Sequence, residues 1–195
     1  MPKKVGIYHV EPLRTATEIE EMKLAIKRGN KGTPKRPELA ARDGLIFLIG
    51  ITGLRVNDLV RVKVRDVTDK PIFDIREGKT NKRREINIGM LQDEIQRFIA
   101  DKQSDDYLFA SQKGSKAIST TQVYRILNDA ADFLGHDDVG THTMRKTFGY
   151  HHYKQFKDVA ILQEIFNHAA PSMTKRYIGI RQDEINASLN LFRLG

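Results

Sequence analysis

The stretch GLIFLIGITGLRVNDLV, residues 44–60, decides the fold of this chain. Its first part, through Ile51, is apolar on every side, and a helix of that kind lies in the centre of a protein core. We expect Gly53 to end this helix. Arg55 follows at once in TGLR, where a buried hinge would fix its guanidinium. The stretch therefore predicts a central helix that delivers one cation to a defined place.

The sequence on either side of this stretch predicts a mainly α fold with a small antiparallel sheet, the α+β class. Thr15 followed by Glu18 is a capping box, which begins a first helix that ends near Arg28. Pro37 suits the first turn of the central helix. A short helix is expected from Val56.

The β interlude comes next. The β-branched positions Val62, Val64 and Val67, followed by PIFDI at 71–75 and EINI at 85–88, indicate the small sheet, with residues 76–84 as its basic hairpin loop. After the sheet the helical period returns. We expect helices near 91–99, near 120–134 with a cap at Ser119 or Thr120, near 143–156, near 158–167, and from Pro171 onward.

Charge and length limit what the chain can do. It has 195 residues, with 33 Lys and Arg against 25 Asp and Glu, so its formal net charge is +8. A basic protein favours an acidic partner. Basic residues exceed acidic ones in segments 1–36, 76–84 and 139–195, whereas acidic residues exceed basic ones in 89–138. We expect this acidic middle to lie away from a polyanion.

Several classes of protein are excluded. The chain has no cysteine, which rules out disulfides, thiolate catalysis and Cys-ligated zinc. Its longest uncharged run, residues 44–54, is well short of the roughly 18 residues that a membrane helix needs. The amino-terminal residues lack the apolar run of a secretory signal. A cytoplasmic location, without a membrane partner, is expected.

A set of polar residues predicts phosphate chemistry. His142 and Arg145 lie three apart, on one face near the start of a helix, where an anion is favoured. An arginine guanidinium can bind two phosphate oxygens at once. A phenol can attack phosphorus to give a covalent intermediate. The set needs no metal, because it has cations in place of clustered carboxylates. Its members are Arg55, Lys79, His142, Arg145, His168 and Tyr177.

Four motifs in order give the set a context. They are TGLRVNDLV (52–60), EGKTNKRREINI (77–88), HTMRKTF (142–148) and FNHAAPSMTKRYIGI (166–180). Together they resemble the catalytic domain of the tyrosine recombinase family, which includes phage integrases and Xer-type resolvases. The resemblance implies the fold of that domain and the breaking and rejoining of DNA without a metal, a cofactor or ATP.

The resemblance also implies roles for the residues that bind phosphate. Arg55 and Arg145 correspond to the two arginines that clamp the phosphate, and Asp58 to an acid that orients the first of them. Lys79 corresponds to the hairpin lysine that protonates the leaving 5′ oxygen. A solvated basic loop is the alternative for Lys79, although its place directly after Gly78 favours it over Lys82.

The remaining roles concern the nucleophile. Tyr177 corresponds to the tyrosine that forms a 3′-phosphotyrosine, and His142 to the histidine that assists its proton transfer. His168 corresponds to a His or Trp that bonds the scissile phosphate. The chain departs from the family at Lys146, where histidine is common, and in FNH, where leucine-glycine-histidine is usual. Basic residues assigned to DNA contact are Arg76, Lys82, Arg83, Arg84, Lys146, Lys175 and Arg176.

The expected organisation has three parts: an extension or linker at 1–14, a catalytic domain at 15–182 and a carboxyl-terminal helix at 183–195. The amino-terminal core-binding domain of the family is expected to be absent, because the resemblance begins near residue 15. Ile185, Leu189 and Phe192 share one helical face. That face either packs in the core of the same chain or docks on a neighbouring protomer. In the second case, removal of 183–195 should weaken assembly on DNA more than folding.

The function expected from the whole sequence is that of a site-specific DNA recombinase, an integrase of a mobile element. It would bind double-stranded DNA as a homotetramer, stay a monomer when free, and work in a bacterial or archaeal nucleoid. Two alternatives remain open. One is an inactive or regulatory DNA-binding protein with the same fold, and the other is a relaxing enzyme like a type IB topoisomerase.

Overall fold

The computed structural model describes residues 10–29, 34–79, 81–112 and 114–193. In these ranges the chain forms helices joined by short loops and one hairpin. The helices are α1 Ala16–Arg28, α2 Pro37–Gly50, α3 Val56–Leu59, α4 Val64–Val67, α5 Gln92–Ile99, α6 Thr120–Leu134, α7 Thr141–Phe156, α8 Val159–Phe166, α9 Pro171–Tyr177 and α10 Ile180–Leu191. The strands are β1 Ile72–Arg76 and β2 Arg83–Asn87.

Local capping sets where the longer helices begin. The hydroxyl of Thr15 accepts from the backbone N–H of Glu18, while the Glu18 carboxylate accepts from the backbone N–H of Thr15, which closes the predicted capping box. The Ser119 side chain caps α6 in the same way at the N–H of Gln122. These helix starts confirm the sequence prediction.

The two strands pair antiparallel, with Phe73 opposite Ile86 and both side chains buried. Because the pairing reaches Arg76 and Arg83, the connecting loop is residues 77–82, which is shorter than predicted.

One part of the β prediction is wrong. Val64–Val67 forms the helical turn α4. The two valines lie three positions apart, a spacing that places both on one face of a helix, and their β-branched side chains do not exclude a helical turn. The carboxylate of Asp66 accepts from the backbone N–H of Lys63 and starts this turn.

The main core is built around α2, as predicted. Ile46 and Ile49 are fully buried there, and the core extends from Leu13 to Met144. The helix ends at Gly50, somewhat earlier than predicted, and Gly53 lies beyond it in the turn at a positive φ of 90°. A Cβ on Gly50 would lie 2.2 Å from the Met144 sulfur, so the glycine lets α2 and α7 approach closely.

A second, smaller group of buried side chains packs the end of α7 against α8 and α9. We call it the C-terminal cluster, and it consists of Tyr150, Tyr153, Leu162, Phe166, Ile178 and Ile180. A Cβ on Gly149 would lie 2.6 Å from Ile178 and 2.7 Å from the ring of Phe166. Glycine at this position therefore brings α7 into direct contact with α8 and with the residue after α9.

The last helix, α10, packs on α9 and is held by polar contacts at its start. Asp183 pairs with Arg14 at 2.5 Å, and Glu184 accepts from the Tyr153 hydroxyl at 2.5 Å. Farther along, Leu189 is 65% exposed and Phe192 is 64% exposed. Burial of this face in the core of the same chain is therefore wrong, and docking on another protomer stays a prediction.

Residues 10–14, predicted as an extension or linker, lie against α7 in the structure. The backbone N–H of Leu13 donates to Thr147 Oγ1 at 2.9 Å, and the Lys146 ammonium donates to the carbonyl of Val10 at 2.6 Å. The boundary at residue 15 stays a prediction. None of the described helices is both long enough and apolar enough to cross a membrane.

Candidate active site

Three arginines from separate elements meet beside the turn that follows α2. Arg55 precedes α3, Arg84 lies on β2 and Arg145 lies in the first half of α7. The guanidinium groups of Arg84 and Arg145 both donate to the carbonyl oxygen of Gly53, at 2.8 Å for Arg84. Arg55 and Arg145 both reach the carbonyl oxygen of Phe166 at 3.4 Å. Backbone carbonyls of buried segments therefore fix the arginines in one place.

A buried carboxylate completes this cluster. Glu77 is 4% exposed, forms an ion pair with Arg55 Nη1 and lies 3.7 Å from Arg84 Nη1. Glu77 is not among the site residues predicted from the sequence. The signal was present, because it is the one acidic residue in the strongly basic segment 76–84.

Asp58 has a different position from the one that the resemblance implied. Its buried carboxylate accepts from the backbone N–H of Gly78 at 3.0 Å and from the guanidinium of Arg61. The carboxylate that pairs with Arg55 is that of Glu77, which corrects the prediction. Asp58 instead fixes the turn that leads to Lys79.

Four of the six residues of the predicted catalytic set line one cavity of about 680 Å³. They are Arg55, Lys79, His142 and Arg145. The side chain of Lys79 is exposed at this wall. Lys82 lines a separate cavity of about 470 Å³ together with Glu77 and Arg84, and its ammonium donates to the Asn167 side chain. The structure therefore brings Lys79, rather than Lys82, to the two arginines predicted to bind phosphate.

The predicted nucleophile lies beside the same group. The Tyr177 hydroxyl is 3.2 Å from His142 Nδ1. The Tyr177 ring meets the rings of Phe166 and His168 edge to face, with centroids 5.4 and 5.2 Å apart. His168 Nδ1 in turn lies 3.0 Å from the hydroxyl of the buried Thr174. All six residues of the predicted catalytic set are thus gathered around one region.

The protonation states of Tyr177 and His142 suit a proton transfer between them. Burial raises the pKa of the Tyr177 phenol, although Arg145 and Arg55 oppose this. Desolvation, followed by the charge of Lys146, lowers the pKa of His142 below its usual 6.5. At neutral pH the phenol therefore keeps its proton and the imidazole is neutral. When Nδ1 of that imidazole is unprotonated, it accepts the hydrogen bond from Tyr177.

Burial also affects the other site residues. Desolvation, together with the charges of Arg84 and Arg55, lowers the pKa of Arg145 to about 10, which leaves it charged at neutral pH. The pKa of His168 is lowered by desolvation and by the charges of Arg145 and Arg55. The site thus holds two neutral imidazoles among fixed cations.

The basic residues assigned to DNA contact fall into two groups. Arg76, Lys82, Arg83 and Arg176 are exposed, and Lys175 is partly exposed. Arg84 and Lys146 are largely buried, and their donors bind the carbonyls of Gly53 and Val10. We therefore withdraw Arg84 and Lys146 from the predicted DNA-contact residues, because their charged groups are held inside the protein.

Among the residues that the structure describes, no three His, Asp or Glu side chains are grouped as ligands for a metal ion. The pair His151 and His152 has packing roles. His151 Nε2 lies 3.0 Å from the carbonyl of Leu13, and the ring of His152 lies between those of Phe148 and Phe156.

Comparison with known proteins identifies the family of this chain. The model of the phage integrase family matches residues 15–184. This chain belongs to that family. It is 42% identical over 185 residues to the probable integrase/recombinase YoeC of Bacillus subtilis, which covers 94% of the chain and 97% of the relative. It is 34% identical over 147 residues to the tyrosine recombinase XerA of Pyrococcus furiosus, which covers 72% of the chain and 51% of the relative.

The family assignment confirms the predicted enzyme class, a site-specific DNA recombinase of the tyrosine type. The chain spans nearly all of YoeC and about half of XerA. It also spans 52% of the tyrosine recombinase XerC of Herpetosiphon aurantiacus, to which it is 31% identical.

Solved structures confirm the predicted fold. The site-specific recombinase XerH, in a post-cleavage complex with palindromic difH substrate, has a TM-score of 0.72 at 20% identity, covering 97% of this chain and 55% of that one. The catalytic domain of bacteriophage HP1 integrase has a TM-score of 0.60 at 21% identity, covering 93% and 95%. The mainly α domain with a small antiparallel sheet is therefore the tyrosine recombinase catalytic fold.

Proposed function

We propose that this chain cuts and rejoins double-stranded DNA at a specific site through a 3′-phosphotyrosine on Tyr177. One observation carries the proposal. The Tyr177 hydroxyl lies 3.2 Å from a neutral His142, beside a cavity lined by Arg55, Lys79 and Arg145. A nucleophile, a base and three cations are thus within reach of one phosphate.

The cations bind the scissile phosphate and stabilise its transition state. Arg55 and Arg145 come from different elements and are fixed by backbone carbonyls before the substrate arrives. Pre-positioned donors of this kind stabilise the charge that develops on the non-bridging oxygens. His168 adds a further donor through Nε2 when its Nδ1 accepts from the Thr174 hydroxyl, because the neutral imidazole then carries its proton on Nε2.

The chemistry is a balanced transfer. The oxygen of Tyr177 attacks phosphorus while its proton passes to His142 Nδ1. The bond from phosphorus to the 5′ oxygen breaks, and Lys79 gives that oxygen a proton. A 5′ hydroxyl of a partner strand then attacks the phosphotyrosine and gives its proton back to Lys79, while the bond from phosphorus to Tyr177 breaks and the phenol takes its proton back from His142. The phosphodiester energy stays in the protein linkage, so ATP is not required, and the charge stabilisation comes from the cations without a metal or other cofactor.

DNA is the proposed partner, and the exposed basic residues are its proposed contacts. Two solved relatives support this: XerH is described with its difH substrate, and a lambda integrase dimer is described bound to a core site. We place the reaction in a bacterial or archaeal nucleoid. The element served would be a mobile one, and the reaction would be integration or its reversal.

Assembly on DNA is proposed to use α10. Its outer residues Leu189 and Phe192 are exposed, whereas its start is bound to Arg14 and Tyr153. The start thus ties α10 to the rest of its own chain, while the exposed part can dock on the next copy. We propose that four copies assemble on DNA through this contact and that the chain is a monomer in free solution.

A suicide substrate tests the proposal. A nicked DNA site loses a short fragment after cleavage and so traps the covalent protein–DNA complex. We expect the wild-type chain to form this complex and Tyr177→Phe to form none while binding the DNA with unchanged affinity. Tyr124→Phe, an exposed tyrosine on α6, is the matched control and should behave as wild type.

A complex that survives Tyr177→Phe would overturn the proposal. The same assay separates the alternatives. A regulatory DNA-binding protein would bind the site without forming the complex. A relaxing enzyme would form it, remove supercoils and exchange no strands.

A further inference from the structure

We propose that Glu77 is a positioning residue for the DNA-cleavage reaction, holding Arg55 toward the scissile phosphate from behind. The inference rests on the proposed function. Its basis is the ion pair between Glu77 and Arg55 Nη1, together with the 3.7 Å approach of the same carboxylate to Arg84. Glu77 is 4% exposed, so this carboxylate is shielded from solvent inside the cluster.

The lining of the two cavities indicates that Glu77 supports Arg55 and does not compete with the phosphate. Arg55 and Arg145 line the cavity that also holds Lys79 and His142. Glu77 and Arg84 line the separate cavity. A phosphate that enters the first cavity therefore meets Arg55 on one side of its guanidinium, while the Glu77 carboxylate binds the same guanidinium from the other side.

Glu77 also offsets the positive charges of the arginine cluster. The neighbouring guanidinium groups repel one another, and this repulsion contributes to the lowered pKa of both Arg145 and Arg84. The charge of Glu77 has the opposite effect and raises the pKa of both Arg145 and Arg84. Loss of one partner from a buried ion pair leaves an uncompensated charge that drives the remaining groups apart.

The backbone of Glu77 also connects Arg55 to Lys79. The N–H of Glu77 donates to the carbonyl of Lys82 at 2.9 Å, and its own carbonyl accepts from Asn81 at 2.8 Å, which closes the hairpin turn. Lys79 lies in that turn, two residues after Glu77. The side chain of Glu77 thus fixes the distance between the phosphate-binding Arg55 and the turn that carries the proposed acid.

The test compares Glu77→Gln with Glu85→Gln. Both changes remove one carboxylate from the same hairpin, but Glu85 is exposed. At saturating DNA we expect Glu77→Gln to slow single-turnover formation of the covalent complex by about 100-fold, the order of loss that follows a misplacement of about 1 Å. The dissociation constant for DNA should be unchanged. Glu85→Gln should match wild type in both measurements.

A double variant separates positioning from charge balance and also covers a failure of Glu77→Gln to fold. Glu77→Gln with Arg84→Met removes one charge of each sign, a change that buried ion pairs often tolerate. We expect its midpoint of thermal unfolding to return toward wild type while cleavage stays slow. Cleavage at the wild-type rate in either variant, or faster cleavage in Glu77→Gln, would overturn the proposal.

A measurement on the free protein keeps this inference distinct from the proposed function. NMR of the arginine side chains reports how fast each guanidinium rotates. We expect slow rotation of Arg55 in wild type and in Glu85→Gln, and faster rotation in Glu77→Gln. Unchanged Arg55 rotation in Glu77→Gln would overturn the positioning role. A wild-type chain that forms no covalent complex would instead contradict the proposed function.

Discussion

The main core and the C-terminal cluster hold different halves of the site. The main core, with α2 at its centre, fixes Arg55 and the first half of α7, which carries Arg145. The C-terminal cluster is much smaller and carries Tyr177 at its border. The proposed phosphate-binding groups are therefore part of the larger buried region, whereas the proposed nucleophile lies at the border of the smaller one. Local stability usually follows such a difference in burial.

Helix α7 and Phe166 join the two regions and help to set the distance between the cations and the nucleophile. Helix α7 runs through both, with Met144 in the main core and Tyr150 in the C-terminal cluster. The carbonyl oxygen of Phe166 accepts from Arg55 and Arg145, while the ring of Phe166 contacts Tyr177. We infer that a change in the C-terminal cluster that leaves the Phe166 carbonyl in place can move the nucleophile without moving the cations.

The largest effect is expected from Gly149→Ala. The added methyl group meets Ile178 at 2.6 Å and the ring of Phe166 at 2.7 Å, and neither can move aside freely. Overpacking of this kind costs about 1–3 kcal/mol of the free energy of unfolding. Because Ile178 follows Tyr177 directly, the cleavage rate should fall as well. Urea unfolding and single-turnover cleavage measure the two effects.

Gly50→Ala is the matched change in the main core. Its methyl group meets the sulfur and the methyl carbon of the flexible Met144 side chain at 2.2 and 2.9 Å and its Cβ at 3.2 Å, and the two end atoms can shift more easily than Ile178 or the ring of Phe166. We expect a smaller loss of stability and a smaller loss of cleavage rate than for Gly149→Ala. Equal losses for the two variants would show that the regions do not differ in the way described.

A smaller effect is expected from acid, through His142. Its folded-state pKa lies below the usual 6.5, so the unfolded chain binds the proton more readily. Its contribution therefore lowers the stability of the fold as pH falls through 6.5 toward the folded value. An NMR titration of the free protein should give a pKa below 6.5 for His142. A value above 6.5 would contradict the neutral base proposed here.

The smallest effect on folding is expected from the exposed face of α10. Leu189→Ser together with Phe192→Ser should change the free energy of unfolding by less than about 0.5 kcal/mol, as is usual for surface changes. Assembly on DNA, followed by native gel or light scattering, should weaken clearly. Leu24→Ser, on an α1 side chain that is 64% exposed, is the control and should leave assembly intact. Normal assembly of the α10 variant would rule out docking through this face.

The sequence predicted the main core well, and the residues of the predicted catalytic set lie close together in the structure, for physical reasons. A run such as residues 44–51 has one stable place in a small domain, and capping boxes mark helix starts locally. The prediction of β structure at Val64–Val67 was wrong because the β preference of single residues cannot distinguish a strand from a single helical turn. The exposure of Leu189 depends on what the rest of the chain leaves uncovered, which no local pattern contains.

The site shows the same division. The types and order of Arg55, His142 and Tyr177 could be taken from the sequence. The partner of Arg55 could not, because Asp58 and Glu77 are both acids near it in the chain, and the hairpin fold alone decides which one reaches it. The sequence also could not show that the side chains of Arg84 and Lys146 are buried, because an arginine or lysine looks the same in the sequence whether it is buried or binds DNA.

The central claim is that Tyr177, held beside the cations, is the group that becomes joined to DNA. Mass spectrometry of the trapped complex tests it most directly, after nuclease and trypsin digestion. The account predicts that a nucleotide 3′-phosphate is attached to Tyr177 in the peptide YIGIR, residues 177–181. Attachment to any other residue, such as Tyr150 or Tyr153 of the C-terminal cluster, would contradict it.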